Sequence, residues 1–202
     1  MRRSVIISAA VEGIVDEAVV RKLIVEAGGH PGTVYGKRGK SSLRRQVQGY
    51  NHAARQLPWM ILVDLDRDAE CAPPLCEEWV PNPAPFLCFR VAVREIESWL
   101  MADAESLSGF LSVSPNRIAA DPEQIQEPKA EMVNLARRSR RRDIRDDMVP
   151  REGSGRSVGP AYASRLIEYV ETLWRPKAAI EHADSLRRAN TCLRRLIGKA
   201  TR

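Results

Sequence analysis

The stretch Ser4-Val5-Ile6-Ile7-Ser8-Ala9-Ala10-Val11-Glu12-Gly13 sets apolar and β-branched side chains on consecutive positions and then stops on an acid and a glycine. A strand covered on one face alternates apolar with polar, whereas an unbroken apolar run marks a strand covered on both faces, as in a parallel sheet. Over 15–27, Val15, Val19 and Leu23, with Val20, Ile24 and Ala27, recur at helical spacing. Asp16 and Glu17 fall in the first turn of that helix, where the macrodipole favours acids, and Gly28-Gly29 stops it. The pattern then repeats. A short strand over 33–35 leads into Gly36-Lys37-Arg38-Gly39-Lys40-Ser41-Ser42 and a helix over 43–56. A strand over 59–63 ends in Asp64-Leu65-Asp66-Arg67-Asp68, followed by a proline-rich loop, a fourth strand over 86–93 and a helical pattern over 94–103. This order predicts an α/β fold with a small, parallel, doubly wound sheet.

Beyond Asp103 no segment reads as a strand, and helices are expected over 129–142, 161–173 and 183–197. The expected organisation is an α/β core over 1–103 and a helical C-terminal region over 104–202 packed on it. A chain of 202 residues has room for that and little more. Its 44% hydrophobic and 29% charged residues exclude a disordered polymer. No apolar run nears the roughly 20 residues that span a bilayer. The run after Met1-Arg2-Arg3 is cut short by Glu12 and reads as a strand rather than a secretory signal, so a cytoplasmic protein without a membrane partner is expected. Cys71, Cys76, Cys88 and Cys192 do not make a disulfide scaffold, and no His stands near the first two, so structural thiols are expected.

Glu12 follows the first strand, and Asp64 and Asp66 follow the third. Ligands of open parallel sheets bind outside the carboxyl ends of the strands, so these groups are expected to converge. An all-carboxylate cluster suits Mg²⁺ or Mn²⁺, and such ions hold phosphate and activate water. Acids at strand ends also cap helices and occupy turns, and the residues alone leave both readings open. Glu97, at the start of the helix after strand four, could add a ligand, or Glu95 and Glu97 could pair with Arg90 or Arg94.

The net charge of +6 favours polyanionic partners, although arginine-rich composition also follows from a GC-rich genome. Gly39-Lys40-Ser41 fails as a Walker motif, because the required earlier glycine is Val34. The loop still offers amide groups with Lys37, Arg38 and Lys40 near a helix start, which favours phosphate, the alternative being a solvated basic turn. Arg138, Arg141 and Arg142, and Arg156 in the later glycine-serine loop, are further candidate phosphate contacts. Asp143, Asp146 and Asp147 neutralise part of that run. His30, His52 and His182 have no triad or metal-ligand spacing, and no Gly-x-Ser-x-Gly is present at a strand-to-helix turn.

Val11-Glu12-Gly13 with Asp16-Glu17, and Leu62-Val63-Asp64-Leu65-Asp66-Arg67, resemble the Toprim module of topoisomerases, primases and overcoming-lysogenisation-defect nucleases. More closely, the chain resembles a bacterial family of Toprim-like proteins of unknown function. That likeness takes in Gly36-Lys37-Arg38-Gly39-Lys40, the segment from Glu95 to Asp103, and Pro128-Lys129, and so covers most of the chain. The resemblance implies a Toprim fold with a metal site at Glu12, Asp64 and Asp66, the glutamate linked to acid/base work and the aspartates to metal. A tyrosine-bearing topoisomerase domain and a primase zinc domain are both missing from the pattern. A Mg²⁺-dependent nuclease acting on DNA or RNA, within a mobile-element or phage-defence module, is the resulting expectation. A non-catalytic nucleic-acid-binding or adaptor subunit with a vestigial site and a small-nucleotide phosphohydrolase are the alternatives. Related nucleases are often fused to ATPases, and this chain has no ATPase motif, which implies an ATPase partner in trans.

Overall fold

The computed structural model describes residues 5–201; Ser4, the first residue of the expected opening strand, lies outside them. In chain order the first elements are β1 (Ile6–Val11), α1 (Ile14–Glu26), β2 (His30–Gly36), α2 (Lys40–Ala53), β3 (Trp59–Asp64), α3 (Ala72–Trp79) and β4 (Leu87–Ala92). The strands form one parallel sheet in the order β2-β1-β3-β4. The expected fold class therefore holds. Every residue of β3 is buried, as a central strand covered on both faces requires.

Ala10, Trp59, Ile61, Val63, Phe89 and Val91 pack on one face of the sheet against Leu43 and Val47 of α2 and Leu75 and Trp79 of α3. Met60, Leu62 and Cys88 alternate to the opposite face and are fully buried. There α1, with Val19, Val20, Leu23 and Ile24 buried, packs along β1, β2 and β3. Helices on both faces make the sheet doubly wound.

The chain continues through α4 (Ile96–Met101), α5 (Ala104–Leu111), α6 (Pro128–Arg137), α7 (Arg142–Met148), α8 (Tyr162–Thr172) and α9 (Pro176–Ala179), and closes with α10 (Asp184–Ala200). Two compact units result, one running up to Val93 and resuming at Ser185, the other spanning Arg94–Asp184. Within the second, Trp99, Tyr169 and Trp174 are fully buried, and the Trp174 indole N–H donates to the Trp99 carbonyl at 3.3 Å. The final helix belongs with the sheet: the Val93 N–H donates to Ser185 Oγ at 3.3 Å, and Lys199 Nζ donates to the Pro85 carbonyl at 2.9 Å.

Three local readings need correction. The proline-rich loop contains α3, because Pro73 and Pro74 sit in its first turn, where a missing N–H breaks no helical bond. The helix expected over 129–142 is two helices, α6 and α7, with Arg138, Ser139, Arg140 and Arg141 between them. The Arg140 N–H turns to the Ser112 carbonyl at 3.2 Å there, and Arg145 Nη1 donates to the Ser139 carbonyl at 2.6 Å. Helix α2 begins at Lys40 rather than Leu43, which moves that lysine from the loop into the first helical turn.

Candidate active site

The connection from β1 leads outward to β2, while β3 and β4 lie on the other side, so the gap between β1 and β3 is the switch point of the sheet. Glu12 comes directly after β1 and Asp64 is the last residue of β3. Their shared position is locked by a hydrogen bond in which the Asp64 N–H donates to Glu12 Oε1 at 2.9 Å. The loop after β2 is stitched to the same edge: the Lys37 N–H donates to the Val11 carbonyl and the Gly39 N–H to the Glu12 carbonyl, both at 3.0 Å. Gly36 makes that approach feasible, since its φ is +90° and a Cβ there would stand 2.1 Å from the Val11 carbonyl oxygen.

This stitching delivers Lys40 to the acids. Its ammonium donates to the Asp64 carbonyl at 2.5 Å and to Asp66 Oδ2 at 2.8 Å, and forms an ion pair with Asp68 Oδ2 at 2.7 Å. Asp16, in the first turn of α1, is 6% exposed. Burial raises the Glu12 pKa to about 7 against the pull of the Asp64 N–H and Lys40, and Asp16 and Asp66 push the same way as burial. Burial disfavours the Lys40 ammonium, but Asp66 and Asp68 outweigh it and hold its pKa above the ordinary lysine value. Asp66 and Lys37 adopt left-handed backbone conformations, φ 51° and 66°. Such strain costs about 1–3 kcal/mol per residue and concentrates at functional sites.

Asp66 and Asp68 thus pair with the Lys40 ammonium, which also acts on Glu12 and holds the Asp64 carbonyl, while Asp16 acts on Glu12. Among the described residues no group of three or more acidic, histidine or cysteine side chains is placed to hold a metal ion. Glu12, Asp64 and Asp66 offer only oxygen donors, the chemistry that a hard divalent cation prefers. Asp16, read in the sequence as a first-turn acid and within the resembling motif, and Asp68, in the turn after the third strand, were not named as site residues, although Asp16 lies one helical turn from Glu12 and Asp68 two residues beyond Asp66.

The remaining candidates divide between the units. Lys37 pairs with Glu17 at 2.8 Å, and Arg38 is exposed on the same loop. Glu97 lies in the second unit, 2% exposed, where the Tyr162 hydroxyl donates to its Oε1 at 3.0 Å. Lys129 serves both glutamates of that segment, with Nζ 3.4 Å from Glu95 and 3.9 Å from Glu97. Burial pushes the Glu97 pKa up to about 7 in spite of Lys129. Arg141 pairs with Asp143 and Arg142 with Asp146, while Arg138 and Arg156 are exposed. Among the described residues no helix is long and apolar enough to cross a membrane. Comparison of the chain with models of protein families, with curated proteins and with solved structures finds no match.

Proposed function

We propose that the protein is a Toprim-like, Mg²⁺- or Mn²⁺-dependent phosphodiesterase acting on nucleic acid. The observation that carries this reading is the half-buried carboxylate cluster at the switch point of a parallel sheet, with a lysine ammonium paired to it. A divalent ion held by Glu12, Asp64 and Asp66 would supply Lewis-acid stabilisation of the phosphate oxygens. The chain's own groups do the rest. Glu12, half-buried and hydrogen-bonded to the Asp64 N–H, holds or releases a proton at Oε2 beside the phosphate. Lys40 offsets negative charge where a phosphate must approach acids, and Arg38, exposed on the loop before it, would contact the nucleic-acid backbone. An ATPase partner in trans, and a place in a mobile-element or phage-defence module, accompany this reading through the resemblance to Toprim nucleases.

The test is cleavage of single- and double-stranded DNA and RNA with and without Mg²⁺ or Mn²⁺. Cleavage by the wild type only with the ion, and its loss in Asp64→Ala at unchanged thermal unfolding, is the expected result. Equal cleavage by Asp64→Ala would remove the site from the chemistry. One observation favours a second reading: Lys40 already satisfies Asp66 and Asp68, as a vestigial site in a nucleic-acid-binding adaptor would arrange. Nucleic-acid binding that is indifferent to divalent ions and to Asp64→Ala would select the adaptor.

A further inference from the structure

Next to the carboxylate cluster the first unit carries a cleft of about 410 Å³ lined by Lys40, Ser41, Arg44, Asp68, Leu75, Glu78 and Trp79. Two of these residues, Lys40 and Asp68, belong to the cluster itself, so the cleft adjoins it. Its other end lies between α2, which supplies Arg44, and α3, which supplies Leu75, Glu78 and Trp79. Resting on the phosphodiesterase reading, we propose that this cleft is a base subsite, taking the nucleobase of the nucleotide whose phosphate faces Glu12, Asp64 and Asp66.

Size and chemistry agree on that class of ligand. The volume lies within the roughly 300–1,000 Å³ of small-molecule sites. The Arg44 guanidinium lies 5.8 Å from the centre of the Trp79 ring and pairs with Glu78, which is exposed. A guanidinium backed by an indole is a flat cationic surface, and bases stack on such surfaces whatever their sequence. Carboxylates only accept hydrogen bonds, so Glu78 and Asp68 select a ligand edge that donates. Guanine donates from N1–H and its amino group side by side, which makes a guanine nucleotide the best match. Leu75 and Trp79, 2% and 3% exposed, close the cleft from the core side.

Trp79 also supplies the reporter. Its indole N–H is buried with no acceptor among the described residues. In ¹⁵N-labelled protein its cross-peak can be followed, with Trp79→Phe assigning it among the indole signals. The full chain is titrated with guanosine 5′-monophosphate in Mg²⁺ buffer, with ribose 5-phosphate as the baseless control. A monoester offers no phosphodiester to cleave, so the result is independent of nuclease activity. The expected result is a saturable shift with the nucleotide, and binding at least tenfold weaker with ribose 5-phosphate. Arg44→Ala and Glu78→Gln, both at exposed positions, should each weaken nucleotide binding about fivefold or more while thermal unfolding stays unchanged. A guanine-containing tetranucleotide that binds more tightly than the mononucleotide identifies a polynucleotide as the source of the base; equal affinity identifies a free nucleotide. No saturable shift, equal binding of ribose 5-phosphate, or wild-type affinity in both variants would overturn the subsite. Metal-dependent cleavage alongside any of those results would leave the phosphodiesterase reading standing, and base binding with no cleavage of any substrate would do the reverse.

Discussion

Glu97 is a carboxyl group that its surroundings hold near the point of protonation. Burial raises its pKa from 4.5 to about 7, with Lys129 and the Tyr162 hydroxyl opposing and Glu95 assisting. A raised acid binds more protons folded than unfolded, so stability is greatest below the unfolded value and is lost as pH rises through the folded one. Above pH 7 the folded protein bears the cost of an ionised buried carboxylate, with an upper bound of about 3 kcal/mol at 1.36 kcal/mol per pKa unit. Glu97→Gln keeps an oxygen for Tyr162 and removes that charge. It should therefore melt several degrees above the wild type at pH 8, at about 2–4 °C per kcal/mol for a chain of this size, and level with it near pH 4.5. Melting curves of the two proteins from pH 4.5 to 8 check this; parallel curves would mean that Glu97 titrates normally. Glu12 shares the direction of shift and the cause, so Glu97→Gln retains part of the pH dependence.

At the scale of elements, the edge of the sheet depends on how β2 ends. Gly36 sits against the Val11 carbonyl, and the loop it begins carries Lys40 to Asp66 and Asp68. Gly36→Ala brings a Cβ to 2.1 Å from that oxygen at a φ of +90°, a clash with backbone that no rotamer relieves. The expected cost exceeds about 2 kcal/mol in urea unfolding. Gly39→Ala is the informative comparison, since its φ is +79° but a Cβ there meets nothing within 4 Å. It should cost less, and equal costs would assign the effect to φ alone. The glycines of this loop were legible in the sequence as a turn before a helix, with anion binding as one of its two readings. Their use in closing β2 onto β1 was not, because it depends on which strand is the neighbour.

At the scale of the molecule, a charge of +6 states little until ion pairs are subtracted. Arg141, Arg142 and Lys37 already face Asp143, Asp146 and Glu17, whereas Arg38, Arg138 and Arg156 are exposed and carry no ion pair among the described residues. Each phosphate contact on duplex DNA contributes about 0.9 to the log–log slope of affinity against salt. Arg38→Ala, Arg138→Ala and Arg156→Ala should each flatten the slope by about that amount, and Lys37→Ala, Arg141→Ala and Arg142→Ala by clearly less. Anisotropy titrations across salt read this directly, and equal slopes in all six variants would sink the distinction. The sequence by itself determined the sheet, because an apolar run buried on both faces and a 3.6-residue repeat are local signals of strand and helix. It also determined that Glu12, Asp64 and Asp66 share an edge, because parallel strands all end on the same side. Only the tertiary structure decided that Lys40 answers those acids, that Glu97 is buried against Tyr162, and that α10 belongs with the sheet. The partners in those contacts stand 26, 65 and 92 residues apart, from Lys40 to Asp66, Glu97 to Tyr162 and Val93 to Ser185, and no local periodicity encodes a pairing over such a distance.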